Sequence, residues 1–288
     1  MDEHTRAMFG ECRSLLAEPP SAAVFARLLD VLGIVPEVEA VQYALDHLAR
    51  WPREVWRALP EGWIACAGLV EAPTLALCDT LWLTDGFYGM HPADLVNTLA
   101  LWQPRRLVLE REALLSEALL EVLCAQLQAH GADARLEALS LRWLEDGWRI
   151  PSMAPLHMLD LSGLRSLALR GVWLEDEAVR DLINAATIHE LEVLNLAGNQ
   201  LTAYGMHELL EGTWPGQLKR LDVRHNAIGA EGAQTIAGSL AVEALEWLWV
   251  NREDVGERGV RALAESERLP AHIRRYWRGV YAEVRRRG

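Results

Sequence analysis

Four segments of this chain start 27 residues apart, at Leu164, Leu191, Leu218 and Leu245, and that spacing constrains the fold more than any other feature. They read LRSLALRGVWL, LEVLNLAGNQL, LKRLDVRHNAI and LEWLWVNREDV, each fitting L-x-x-L-x-L-x-x-x-x-L with an aliphatic residue at every apolar position. A further copy, LEALSLRWLED from Leu136, keeps the first part of the pattern 28 residues earlier. A fixed period of this length marks stacked repeats. L-x-x-L-x-L sets its leucines on one side of a short strand, and one strand cannot bury that side alone, so successive strands must stack. The rest of each unit has helical spacing: Val179, Leu182 and Ile183, then Met206, Leu209 and Leu210, then Ile236 and Leu240, then Val260 and Leu263. The expected unit is therefore a strand inside and a helix outside. At its fifteenth position stand Ala178, Gly205, Gly232 and Gly259, small residues where the helix starts close against its neighbour.

These units resemble the ribonuclease-inhibitor-like class of leucine-rich repeats, whose longer units carry a helix on the convex face. Asn199 and Asn226 match that family's ninth-position asparagine, which the resemblance casts as a bridge satisfying backbone amides between successive loops. Val172 and Glu253 hold the position in the other two units, so the asparagine ladder is incomplete. The resemblance implies an α/β leucine-rich repeat solenoid, with parallel strands on the concave face and helices on the convex face.

Upstream the pattern weakens without stopping. PRRLVLEREALL places Leu107 and Leu109 in strand positions and is followed by the helical LLSEALLEVLCAQLQAHG, with Gly131 as its stop. CDTLWLTDG, with Leu81 and Leu83, followed by PADLVNTLALW, gives one unit more. The expected organisation is a helical N-terminal cap or small bundle over 1–62, a solenoid of about seven repeats over 63–265, and a basic C-terminal cap helix over 266–288. In the first part Ser21 is the expected N-cap of AAVFARLLDVL, which ends at Gly33, and PEVEAVQYALDHLAR and PREVWRAL read as two more helices. In the last part, AHIRRYWRGVYAEVRRRG puts Ile273, Trp277, Val280, Tyr281 and Val284 on one helical stripe and most of its arginines elsewhere.

Composition narrows the function classes. A chain of 288 residues that is 51% hydrophobic and 24% charged is globular, and a net charge of −13 is unfavourable to general nucleic-acid binding, because phosphates would be repelled. Lys219 is the only lysine beside many arginines, which points to GC-rich, bacterial coding. Cys12, Cys66, Cys78 and Cys124 form no C-x-x-C pair and read as reduced thiols. The acidic start MDEHTRAMFGEC is not a secretory signal, and no apolar run of about 18 residues occurs, so a cytoplasmic protein is expected.

A search for chemistry returns little: no G-x-S-x-G elbow, no Walker loop, no G-x-G-x-x-G after a strand and no H-E-x-x-H. His207-Glu208 opens like a zinc helix, but Glu211 replaces the second histidine, and His189-Glu190 has no partner in sequence. No enzyme, no metal and no cofactor is expected.

Binding has better support, from geometry. Residues between the strand leucines point to the concave face. Through the repeats these are Trp82, Val108, Ser140, Ala168, Asn195, Asp222 and Trp249; two residues on are Thr84, Glu110, Arg142, Arg170, Ala197, Arg224 and Asn251; two residues earlier are Thr80, Arg106, Ala138, Ser166, Val193, Arg220 and Trp247. Tryptophan and arginine are the residue types that dominate binding energy at interfaces. The expected partner-binding set is Arg142, Arg170, Arg220, Asp222, Arg224, Trp247 and Trp249, with another protein that bears an acidic patch as the partner. Two alternatives stay open: Tyr276 or Trp277 of the cap could cover the tryptophans, and Asp222, Glu192 and Glu246 could consume the arginines. An enzyme-associated accessory subunit, or a binder of nucleic acid or anionic membrane through the arginine-rich C-terminus, is the alternative function.

Overall fold

The computed structural model describes residues 3–33, 37–60, 63, 73–83, 102, 104–110, 117–129, 131, 133–142, 154–184, 190–211 and 218–287, and the chain divides into two compact units, 1–108 and 109–288. In the first unit, helices α1 (Glu3–Leu16), α2 (Ala22–Leu32) and α3 (Val38–Leu48) bury Cys12, Leu15, Phe25, Leu28, Leu29, Ala44 and Leu48. α2 starts where Ser21 predicts, its Oγ accepting a hydrogen bond from Val24 N at 3.2 Å, and stops at Gly33, whose φ of 69° lies in the left-handed region that glycine enters freely.

PREVWRAL does not form the expected helix. Its end runs beside strand β1 (Thr80–Leu83): Ala58 bridges Thr80 in parallel, Leu59 N donates to Thr80 O at 3.0 Å, and Asp79 N donates to Arg57 O at 3.0 Å. Pairing to the strand supplies backbone bonds that a helix would have supplied internally, so tertiary context overrides periodicity here. Asp79 fixes this junction, accepting from Arg57 Nε (2.9 Å), Thr80 Oγ1 (2.7 Å) and Arg106 Nη1 (3.1 Å). Asp79 and Arg106 are both buried, and multiple charge-assisted bonds are what make a buried ion pair tolerable. Arg106 opens strand β2 (Arg106–Leu109), the neighbour of β1. The helix expected over PADLVNTLALW falls, Trp102 excepted, outside the described residues, as do Thr84, Cys66 and His189.

The second unit is an α/β solenoid. After α4 (Glu117–Ala129), which Gly131 follows at φ 62°, strands β3 (Ala138–Arg142), β4 (Ser166–Arg170), β5 (Val193–Asn195), β6 (Arg220–Asp222) and β7 (Trp247–Trp249) pair in parallel and in chain order. Their register aligns the repeats: Leu139, Leu167, Leu194, Leu221 and Leu248 are successive partners and are all buried. After strands β4 to β7 run, in turn, α5 (Asp176–Asn184), α6 (Ala203–Glu211), α7 (Gly229–Gly238) and α8 (Arg252–Glu265), each packed on the next, and α9 (Ala271–Arg287) closes the series against α8.

The repeat positions behave as the pattern requires. Asn199 Oδ1 accepts from Val172 N (3.1 Å) and Leu174 N (3.0 Å), while its Nδ2 donates to Leu169 O (2.7 Å) and Leu196 O (2.9 Å). Asn226 repeats the arrangement one unit later, accepting from Leu201 N (3.1 Å) and donating to Leu196 O (2.9 Å) and Val223 O (3.0 Å). The unit carrying Val172 is thus served by its neighbour's asparagine. Where Glu253 replaces asparagine, the loop is replaced by the first turn of α8. A Cβ on Gly259 would lie 2.6 Å from Val255 Cβ and 3.0 Å from Ala233 Cβ, and one on Gly232 would lie 2.9 Å from Ile228 Cβ, so in these two units the fifteenth position has no room for a side chain. At the eighth position the chain turns left-handed: Gly171, Gly198 and His225 have φ of 64°, 73° and 58°. His225 bears the strain that glycine avoids, held by Asp254 Oδ2, which accepts from His225 N at 2.6 Å.

Candidate functional site: the strand face of the second unit

The strand residues that alternate with the buried leucines form a face turned away from the helices. Burial along β3 and β4 alternates between intermediate and buried, and β7 alternates between exposed and buried, as one-sided strands must. Register brings the expected residues together in rows: Arg142 is the partner of Arg170, Val193 of Arg220, Arg220 of Trp247, and Asp222 of Trp249. Between the arginines of β4 and β6 the face has a floor of smaller side chains, Ser166, Ala168, Val193, Asn195 and Ala197. Asn195 and Asp222 close their strands alike, accepting from Ala197 N at 3.0 Å and Arg224 N at 3.2 Å, which turns the chain out of the sheet.

Trp247 and Trp249 remain in solvent, 56% and 37% exposed, with rings stacked 5.8 Å apart and 10° from parallel. The cap helix does not cover them. Trp277 is itself 1% exposed within the core, and Tyr276 faces solvent. Two adjacent exposed indoles are costly to leave wet, since aromatic side chains carry the largest apolar surface of any residue.

The four arginines divide into two pairs. Arg224 is committed to Asp222, with Nε at 2.9 Å from Oδ1 and Nη2 at 2.7 Å from Oδ2, and the bond to this carboxylate holds the guanidinium pKa above its ordinary value. Arg142 lies 3.5 Å from Glu110. Arg170 and Arg220, by contrast, have no ion-pair partner among the described residues, and Arg220 is exposed beside Trp247. Glu192, an expected competitor for them, instead pairs with Arg165 (3.4 Å) and Lys219 (2.9 Å) along the rim of the sheet.

Sequence reasoning missed that rim row, Arg165, Glu192, Lys219 and Glu246, whose charges alternate from strand to strand. The 27-residue period itself could have exposed it. The same holds for Ser239 and Ser266, whose hydroxyls donate to Leu210 O (3.2 Å) and Ala237 O (2.6 Å) of the preceding unit and accept from Ala241 N and from Leu269 N. The basic C-terminal helix is partly structural too: Arg278 Nε donates to Ala264 O (3.2 Å) and Arg274 Nη1 to Ser266 O (3.3 Å), which satisfies carbonyls at the end of α8. Arg268 pairs with Glu243 at 2.7 Å, while Arg275, Arg285 and Arg286 face solvent.

Reactive chemistry is not assembled among the described residues. Burial pushes the Cys78 thiol up and that of Cys124 to about 12, so both stay protonated and poor as nucleophiles. His207 Nε2 sits 3.3 Å from Glu211 on one exposed helix face. Among the described residues no three His, Cys, Asp or Glu side chains group closely enough to hold a metal ion, and no helix is long and apolar enough to cross a membrane.

A family model agrees with the repeat geometry. The sequence model of a family described as Leucine Rich repeat matches residues 218–237, which run from β6 into α7. Among solved structures, an internalin from Listeria monocytogenes is similar with a TM-score of 0.36 and 15% identity, over 69% of this chain and 55% of that one. No curated protein matches.

Proposed function

We propose that this leucine-rich repeat chain is a protein-interaction scaffold or regulator that takes its partner on the strand face of the second unit. The observation that carries the reading is the combination on one regular face of two exposed stacked indoles and two arginines without an ion-pair partner among the described residues. Strand and helix both keep the backbone of a solenoid satisfied internally, so a flat face of this kind is rigid before a partner arrives, and preorganisation lowers the entropic cost of binding. Arg170 and Arg220 favour a partner with carboxylates about 16 Å apart, two strand spacings across the sheet and four residues along it. Trp247 and Trp249 supply the apolar anchor beside Arg220. In this reading Asp222 orients Arg224, Arg142 stands at the far border, and residues 1–62 and 266–288 serve as caps. Buried, unpaired Cys12, Cys78 and Cys124 support a reducing, cytoplasmic setting.

Affinity capture from the native cell tests the proposal. A stoichiometric protein partner is expected with the wild-type chain, and Trp249→Ala or Arg220→Glu should each weaken capture by about tenfold or more while leaving the circular dichroism unchanged. Capture that is indifferent to both substitutions rejects the strand face as the site.

A further inference from the structure

In the first unit a turn of the chain itself sits against a tryptophan and an arginine of the strand face. Trp82, fifth in its repeat, is the one residue of β1 that is not buried. Arg106, third in the next repeat, alternates with Leu107 and so starts β2 on the same face, where it is buried. Residues 52–56 form the turn, Val55 N donating to Pro52 O at 3.1 Å. From it the Arg53 carbonyl accepts a hydrogen bond from Arg106 Nη2, and the Trp56 ring meets the Trp82 ring edge-on, with centroids 5.7 Å apart and planes at 73°. Arg106 Nη1 also donates to the Asp79 carboxylate at 3.1 Å. One guanidinium thus holds a carboxylate and a backbone carbonyl, while the neighbouring indole holds an aromatic ring.

The second unit sets the same two residue types at the same repeat positions. Arg220 is third in its repeat and Trp249 fifth in the next, on the adjoining strands β6 and β7. In both units the arginine and the tryptophan are one strand spacing across and two residues along, about 8 Å. Here, however, both side chains are exposed. The carboxylate differs as well. Asp79 precedes β1 at the second repeat position, and its counterpart beside Arg220 is Glu192, which is taken by Arg165 and Lys219. Arg220 therefore lacks both of the groups that Arg106 holds.

We propose that the partner enters this surface with a tight turn of the kind that residues 52–56 form, bringing a backbone carbonyl and a carboxylate to Arg220 and an aromatic ring to Trp249. The proposal rests on the strand face of the second unit being the partner site, and it names the partner's contacting chemistry. Pro52-Arg53-Glu54-Val55-Trp56 contains all three groups: the Arg53 carbonyl, the Glu54 carboxylate next to it, and the Trp56 ring three residues after the carbonyl. The order of the strands is reversed, since Trp82 precedes Arg106 and Trp249 follows Arg220, so the partner's turn crosses the strands in the opposite sense. Trp247, stacked on Trp249, widens the aromatic surface that receives the ring.

Fluorine NMR of the full-length chain carrying 5-fluorotryptophan tests this, with a peptide copying residues 52–56, acetylated and amidated at its ends, as the probe. The peptide is added to about 5 mM, enough to reveal a Kd near 1 mM. The signals of Trp247 and Trp249, assigned through Trp247→Phe and Trp249→Phe, should shift and saturate. Arg220→Gln in the chain, and Trp56→Ala or Glu54→Gln in the peptide, should each weaken binding by about fivefold or more. The absence of a saturable shift, shifts confined to Trp56 and Trp82, or shifts indifferent to these changes would each overturn the proposal. The affinity capture described above separates this failure from that of the site: capture still lost on Trp249→Ala rejects the turn alone, and capture indifferent to both substitutions rejects the face.

Discussion

Trp277→Ala is expected to destabilise the chain by about 3–5 kcal/mol, as a cavity the size of an indole does in a packed core. Trp277 is the largest fully buried side chain among the described residues and sits on α9, which seals the apolar end of the stack at α8, where Val255, Val260 and Leu263 are buried. A solenoid without such a cap would present this end to water. Trp277→Phe separates packing from polarity. Indole Nε1 is buried with no hydrogen-bond partner among the described residues, so replacing it with a ring that lacks the donor should cost far less than the alanine change. Urea unfolding followed by fluorescence and circular dichroism measures both. A loss under about 1 kcal/mol for the alanine variant would show that α9 does not seal the repeat.

Asn199→Ala should cost about 3–5 kcal/mol, because it removes four hydrogen bonds at once and strands backbone groups of two neighbouring units in the core. Alanine at Asn226 should act similarly. Glu253 occupies the same repeat position but is exposed, with its carboxyl pKa held below the usual range first by a backbone hydrogen bond, and Glu253→Ala should leave the urea midpoint nearly unchanged. Equal effects at Asn199 and Glu253, read as shifts in urea midpoint at unchanged slope, would contradict the bridging role.

Much of the second unit is legible in the order of its residues, because its constraints are periodic. The leucine spacing predicts the parallel register, and the fifteenth-position glycines mark contacts too close for a Cβ. Asn199 and Asn226 are recognisable from the resemblance, and their geometry agrees. What escapes the reading is aperiodic or depends on distant partners. PREVWRAL has helical spacing, yet Arg57 to Leu59 give their backbone bonds to Asp79 and Thr80 more than 20 residues away. No local signal separates the two outcomes. The fate of the arginines is similar: sequence places all four on one face, but only distances show Arg224 spent on Asp222 while Arg170 and Arg220 lack an ion-pair partner among the described residues. Burial also resolves the tryptophans, since Trp277 turns into the core and leaves Trp247 and Trp249 in solvent.

The central claim is that a partner docks on the strand face rather than on the helices. Site-specific photo-crosslinking in the native cell tests it most directly, with the photoreactive residue placed at Ala168 on β4 or, in a second chain, at exposed Gln234 on α7. The account predicts a single crosslinked protein from Ala168, lost on adding Arg220→Glu, and none from Gln234. Crosslinking from Gln234 with none from Ala168 would contradict it.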